Sequence, residues 1–415
     1  MWLNIRIGFY LAVRQLRRAS LWTTGLIIFI MVLTFLNLVV VSGILVGLLQ
    51  GSIDQHRLEY TGDVMISTLT DKTYIENSPN ILPIIESLPE VESYSARYRE
   101  GGKFEANYKT RKENDKPNTA SGQVTGIDPI KEDKLSGLST HVVDGSYLAP
   151  GDFDQVLVGR YLLSQYVPVQ SPDFPSLDNV VVGSKIRMTV HGVTREVTVK
   201  GILKSKVDQV SRGVYMLDTQ LRSMIGRSDG NVAVISMRLK KGADPIVVKE
   251  ALLRRGVDKY AKVQTYVDAQ PQFLKDMIGT FNMLGSAFSS IGLVVASITI
   301  FIVVFINAIT RRKYIGILKG IGIHGKVIEF SYVFQSIFYA VVGSSIGLAI
   351  VYGFLVPFFV THPINFPFSD GILVAPLGTT FFRVALLVVT TLVAGFIPAW
   401  MIIRKNTLDS ILGRN

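Results

Sequence analysis

Cysteine is absent from this sequence. That excludes disulfides and thiolate metal sites, and it suits an exported domain that avoids stray oxidation. Histidine is scarce. His56, His141, His191, His324 and His362 stand far apart, with no H-E-x-x-H or comparable ligand spacing, so no metal or cofactor is expected. There is no G-x-S-x-G either, and no other catalytic constellation. Charge is missing altogether from residues 21–49, 277–310, 330–360 and 384–403, each run at least 20 residues long. About 20 apolar residues in a helix cross ~30 Å of hydrocarbon, and backbone amides cannot be left unpaired in lipid. Four membrane-spanning helices follow. The first run exceeds a signal-peptide core of about 7–15 residues and lacks an A-x-A site after it, so it reads as a retained anchor. Arg383 stands at the edge of the fourth run and no ionisable residue lies deeper, which argues against ion-driven transport.

What charge there is orients the chain. Residues 51–276 hold 30 Lys/Arg and 29 Asp/Glu, whereas the remainder holds 13 bases and 3 acids. Most of the net charge of +11 therefore sits at the ends of the runs. Arg6, Arg14, Arg17 and Arg18 precede the first, Arg311, Arg312, Lys313, Lys319 and Lys326 lie between the second and third, and Arg404, Lys405 and Arg414 follow the fourth. Residues 361–378 carry only Asp370. Both termini and the 311–328 loop are expected in the cytoplasm. The basic edge suits anionic membrane lipid. A nucleic-acid partner is excluded, because its basic patch belongs on the soluble part.

The expected fold is an α-helical membrane protein with four transmembrane helices plus an α+β extracytoplasmic domain inserted between helices 1 and 2. The expected boundaries are 1–20 for a cytoplasmic amphipathic segment, 21–50 for the first span and 51–275 for the inserted domain. A stalk and second span follow over 276–310, a cytoplasmic coupling loop over 311–328 and a third span over 329–358. A short outer loop covers 359–379, the fourth span 380–403 and a cytoplasmic tail 404–415. In the inserted domain residues 62–68, 154–160 and 231–239 read as strands, and 81–88 and 245–255 as helices. Residues 185–190 and 195–199 alternate strictly around His191-Gly192, the pattern of a hairpin. Polar residues 109–121 and proline-bearing residues 171–178 read as loops.

Residues 320–325 (G-I-G-I-H-G) fit the dinucleotide fingerprint, and 320–327 nearly fit a P-loop. Neither has the preceding strand that those motifs need, and Val327 stands where Mg²⁺ needs a hydroxyl. Read differently, residues 311–329 interleave Tyr314, Ile315, Ile317, Leu318 and Ile321 with Lys319 and Lys326, which suits docking on a partner. Gly343 and Gly347 form a G-x-x-x-G face for close helix packing, within the chain rather than between chains.

Residues 305–322 (F-I-N-A-I-T-R-R-K-Y-I-G-I-L-K-G-I-G) resemble the signature of the MacB/FtsX-like ABC-transporter permeases. The glycine-rich third span (343–347) and Gly395-Phe396-Ile397-Pro398-Ala399 are similar to that family too, as is the order of one helix, a domain, then three helices. Val124-Thr125-Gly126-Ile127-Asp128-Pro129, then Asp144-Gly145 to Leu148, residues 154–159 and a helix expected over 160–166 look most like the lipoprotein-releasing (Lol-type) branch, though macrolide-exporter permeases share part of this. Tyr314, Gln335 and Thr407 depart from the family's usual Glu, acid and Pro.

The resemblance implies a non-catalytic permease subunit in a cell inner membrane, with ATPase activity on a partner chain. The implied partners are a cytoplasmic ABC ATPase dimer, a second permease subunit (the same or homologous) and a lipoprotein or other amphipathic cargo. The implied coupling residues are Lys313, Tyr314, Ile315, Gly316, Ile317, Leu318, Lys319, Gly320, Ile321 and Gly322. Ile315, Ile317, Leu318 and Ile321 are expected to fill the ATPase groove, and Lys319 to meet acidic groups at its rim. Lipid chains of the cargo are expected between residues 33–49 and 281–295. The alternatives are export of a drug or peptide, and a non-transporting signalling subunit that controls a cell-wall hydrolase.

Overall fold

The computed structural model describes residues 2–112, 116–167, 175–366, 369–371 and 373–403. The tail expected over 404–415, with Thr407, lies outside the described residues, as do parts of the loops expected over 109–121 and 171–178. The chain forms two units. One is built from the described parts of Met1–Leu49, Asp276–Asn365 and Asp370–Asn415, the other from those of Gln50–Lys275 and Phe366–Ser369.

Among the described residues four helices are long and apolar enough to cross a membrane. Span 1 (Leu21–Thr61) contains π-helical turns at Asn37–Val41 and Arg57–Thr61. Span 2 is one helix of 39 residues, Gln272–Thr310, about 58 Å at 1.5 Å per residue. Span 3 (Gly325–Thr361) and span 4 (Leu377–Ile403) complete the set. Span 3 packs against span 1, span 4 and the surface helix Trp2–Arg17. Lipid supplies no hydrophobic drive between helices, so close approach through small residues has to hold them. A methyl placed on Gly343 would strike the Met31 side chain, and one on Gly347 the Phe35 ring. The G-x-x-x-G face thus receives span 1 of the same chain. Gly8 of the surface helix sits equally close to Phe330 and to the Val327 carbonyl.

Among its described residues the inserted domain carries ten strands. In chain order they are β1 (Val64–Ser67), β2 (Val91–Glu105), β3 (Thr119–Ile127), β4 (Val142–Gly145), β5 (Gln155–Gly159), β6 (Lys185–Val190), β7 (Val193–Leu203), β8 (Gly213–Leu217), β9 (Val234–Leu239) and β10 (Lys262–Thr265). They hydrogen-bond in the order β10-β1-β9-β2-β3-β8-β5-β7-β4, and β6 pairs with both β2 and β7. The β3–β8 and β5–β7 pairs are parallel. The β6–β7 hairpin turns at His191 and Gly192, φ +49° and +78°. Both angles suit the tight turn that twisted strands favour. Strand β2 serves two cores. Its first half pairs with β9, beside a core of Val64, Ile66, Ile235 and Met237. Its second half pairs with β3 and β6, where Tyr98 and Phe104 join Val124, Ile186 and Val199. Residues 160–166 differ from the helix expected there: they form two 3₁₀ turns, Arg160–Leu162 and Ser164–Tyr166, around the extended Leu163.

The last turn of span 1 is fastened into this domain through its backbone. A helix end leaves carbonyls without intrahelical partners. Here Arg97 Nη1 donates to the Tyr60 carbonyl at 2.6 Å and Arg238 Nη2 to the Leu58 carbonyl at 2.9 Å. Arg97 is fully buried and forked on Glu132, Nε to Oε2 at 2.8 Å and Nη2 to Oε1 at 2.7 Å. Ser95 and Ser136 donate to the same carboxylate. Burial pushes the Glu132 carboxyl up, but the guanidinium and these hydroxyls hold it below the ordinary carboxylate value. Glu132 sits on helix Pro129–Ser136, whose N-cap Asp128 accepts from the Ile130 and Lys131 amides.

Three measurements test this description. Glu132→Ala strands a buried guanidinium, so unfolding of the inserted domain, followed in the full chain, should be easier by about 3–5 kcal/mol. Gly347→Val should cost about 1–3 kcal/mol by overpacking, and Phe35→Ala in the same chain should recover part of it. His141, on Glu59 at 3.3 Å, is held above the ordinary histidine value by that contact, with burial opposing. Its stabilisation is present below the unfolded value and is lost as pH rises through the raised one. Melting of the domain should therefore fall between about pH 6 and pH 8, and His141→Gln should flatten that fall.

Candidate functional site

Two features of the membrane unit stand out: the helix that joins spans 2 and 3, and a cavity among spans 1, 2 and 4. The inter-span helix, Arg312–Gly320, begins after Arg311, whose amide donates to the Asn307 carbonyl at 3.2 Å. Its faces differ. Ile315, Gly316 and Leu318 are buried, the two larger side chains in the unit's own core with Ile328, Ala399 and Ile403. Lys313, Tyr314, Ile317 and Ile321 are exposed, Ile317 by 54% and Ile321 by 71%. Ile315 and Leu318 are thus unavailable to a partner groove, which corrects the sequence expectation. The reason is helical period: 315 and 318 share a face that 317 and 321 do not. The Lys319 ammonium donates to the Ile403 carbonyl of span 4 at 2.6 Å.

Gly320 and Gly322 end this helix. The amides of Gly322 and Ile323 donate to the carbonyls of Lys319 and Leu318, and Gly322 takes φ +94°, a conformation that glycine adopts without strain. His324 then caps span 3, its Nδ1 accepting from the Lys326 amide at 3.2 Å. The G-x-G-x-x-G segment is therefore a helix–turn–helix corner.

The cavity, about 470 Å³, is walled by Leu38, Ser42, Leu45 and Val46 of span 1, Phe281 to Leu293 of span 2, and Thr379, Phe382, Arg383 and Leu386 of span 4. Its polar groups are concentrated. Asn282, Ser286, Ser289 and Ser290 line one side, and the Ser286 and Ser290 hydroxyls are spent on the carbonyls four residues back. Arg383 reaches across to the Ser42 hydroxyl. The arrangement can hold an apolar chain along its leucines and phenylalanines and an anionic or carbonyl group at Arg383. The serine pattern at 286, 289 and 290 was the signal for this wall, and sequence reading passed over it. Among the described residues no cluster of His, Asp and Glu could hold a metal ion.

The chain thus combines four candidate spans, a mixed α/β domain after the first and a helical corner between the second and third. Residues 286–407, which hold the inter-span helix and spans 3 and 4, match the family described as "FtsX-like permease C-terminal", in agreement with the resemblance read from the sequence. No curated protein matches the chain. Two solved structures are similar over the inserted domain. The periplasmic region of MacB from Actinobacillus actinomycetemcomitans is 14% identical, covers 55% of this chain and 97% of its own, and has a TM-score of 0.35. The extracellular domain of the noncanonic ABC-type transporter YknZ from Gram-positive bacteria is 16% identical, covers 49% and 97%, and has a TM-score of 0.31.

Proposed function

We propose that this permease couples ATP hydrolysis by a separate cytoplasmic ATPase dimer to the release of a lipidated cargo, a lipoprotein, on the opposite side of the membrane. The observation that carries the reading is the cavity: apolar walls for acyl chains, with a cationic side chain on span 4 and amide and hydroxyl groups on span 2 for the polar part of an amphipathic molecule. The termini and the inter-span helix face the cytoplasm in this reading, as their unbalanced bases suggest. The ATPase contact is made by the exposed face, Lys313, Tyr314, Ile317 and Ile321, while Gly316, Gly320 and Gly322 allow close approach and the turn. Two such subunits, alike or homologous, sit on the ATPase pair. Movement reaches the cargo through spans 1 and 2, each long enough to extend beyond the bilayer.

The docking face and the cavity are tested separately. Ile317→Asp with Ile321→Asp should abolish co-purification of the ATPase while leaving abundance in the membrane unchanged, because both side chains are exposed. Leu318→Asp should instead lower abundance, since its side chain is core. Retained ATPase in the double variant would remove the docking assignment. For the cavity, Ser289→Trp should cut ATP-dependent release of a triacylated lipoprotein from vesicles by at least ~tenfold, an effect near 1.4 kcal/mol, with ATPase binding preserved. Loss of drug or peptide efflux with lipoprotein release intact would transfer the assignment to export.

A further inference from the structure

Three arginines line one cavity of the membrane unit. Arg14 and Arg18, at the C-terminal end of the surface helix, and Arg311, at the start of the inter-span helix, line a cavity of about 260 Å³ with Leu11, Gln15 and Tyr314. The segments that build it, residues 1–53 and 277–328, contain no Asp or Glu. Among the described residues none of the three arginines pairs with a carboxylate. A cation at a helix C-terminus complements the macrodipole, which accounts for Arg14. Arg311 stands between the C-terminal end of span 2, which its charge complements, and the start of the inter-span helix, whose first turn has no acid. Three like charges around one small cavity favour an anion between them. Gln15 adds donors, because its Oε1 already accepts from Gln335 at 2.5 Å and its amide hydrogens remain for the cavity.

The nature of the anion follows from the helix that carries two of the arginines. The surface helix buries Gly8, Leu11 and Ala12 and exposes Trp2, Phe9 and Tyr10. An apolar groove of about 480 Å³ runs along its other flank, between Phe9, Val13 and Leu16 and span 3's Phe334 and Phe338. A basic helix with exposed aromatics lies at the boundary of headgroups and acyl chains, where an anionic leaflet attracts cationic side chains. We infer that Arg14, Arg18 and Arg311 bind the phosphate headgroup of an anionic phospholipid. The site shares Tyr314 with the proposed ATPase face and is separate from the cargo cavity.

The test uses the purified full chain without an ATPase, titrated with phosphatidylglycerol or phosphatidylethanolamine and read by native mass spectrometry. The wild-type chain should retain phosphatidylglycerol in preference, and excess inorganic phosphate should leave it in place. Arg311→Gln, and Arg14→Gln with Arg18→Gln, should lower its retention by about tenfold, whereas Lys326→Gln, a base outside the cavity, should not. Arg311→Lys keeps the charge and should keep the lipid; with a melting curve for each variant it separates charge loss from misfolding. Equal retention of the two lipids, displacement by phosphate, or unchanged binding in the arginine variants overturns the site. In a separate co-purification with the ATPase, variants that lose the ATPase and keep the lipid also overturn the site, since the cavity then takes an acidic protein segment.

Discussion

Arg97 occupies a point where three pieces of backbone come together: the end of span 1, strand β2 and helix Pro129–Ser136. A charge in so dry a place is tolerable only with a partner and a full set of hydrogen bonds. Glu132 supplies the partner, and Ser95, Ser136 and the Tyr60 carbonyl complete the set. Because one guanidinium serves both the carboxylate and the helix-end carbonyl, the last turn of span 1 cannot move without drawing β2 along. Strand β2 in turn belongs to both cores of the inserted domain. An apolar pair of equal volume would pack as well, but it could not hold the helix end by its backbone.

The membrane unit meets a different constraint. Neighbouring helices gain little by leaving lipid, so approach distance decides which pairs persist. Gly8, Gly343, Gly347 and Gly395 are the positions where span 3 and its neighbours come closest, and each faces a specific side chain or carbonyl. Span 2, by contrast, shows a long exposed apolar face through Leu284, Phe288, Ile291, Val295, Ile298 and Ile302, as a helix bordering lipid does.

Legibility from sequence followed the strength of each physical rule. The spans were readable because a long run without a single charge rarely arises except where a helix crosses lipid. The β6–β7 hairpin was readable because strict alternation around His191-Gly192 leaves one register. Strands β2 and β3 were not. Gly101 and Gly102 interrupt β2, and charged residues such as Arg97 and Glu105 point inward on it, so its alternation is lost. The helix expected over 160–166 failed at Leu163, whose extended backbone bridges to Leu177 instead. For the inter-span segment composition foretold an apolar surface. Which of its residues form that surface depended on where span 4 lies, and no local pattern carries that.

The bond from Lys319 to the Ile403 carbonyl has a mechanical meaning. It latches the inter-span helix to one end of span 4, a rod of 27 residues and about 40 Å. Toward the other end of that rod, Phe382, Arg383 and Leu386 form a wall of the cavity. Pro398 lies between latch and wall and removes one donor from the rod's ladder, so bending of span 4 concentrates there, nearer the latch than the wall.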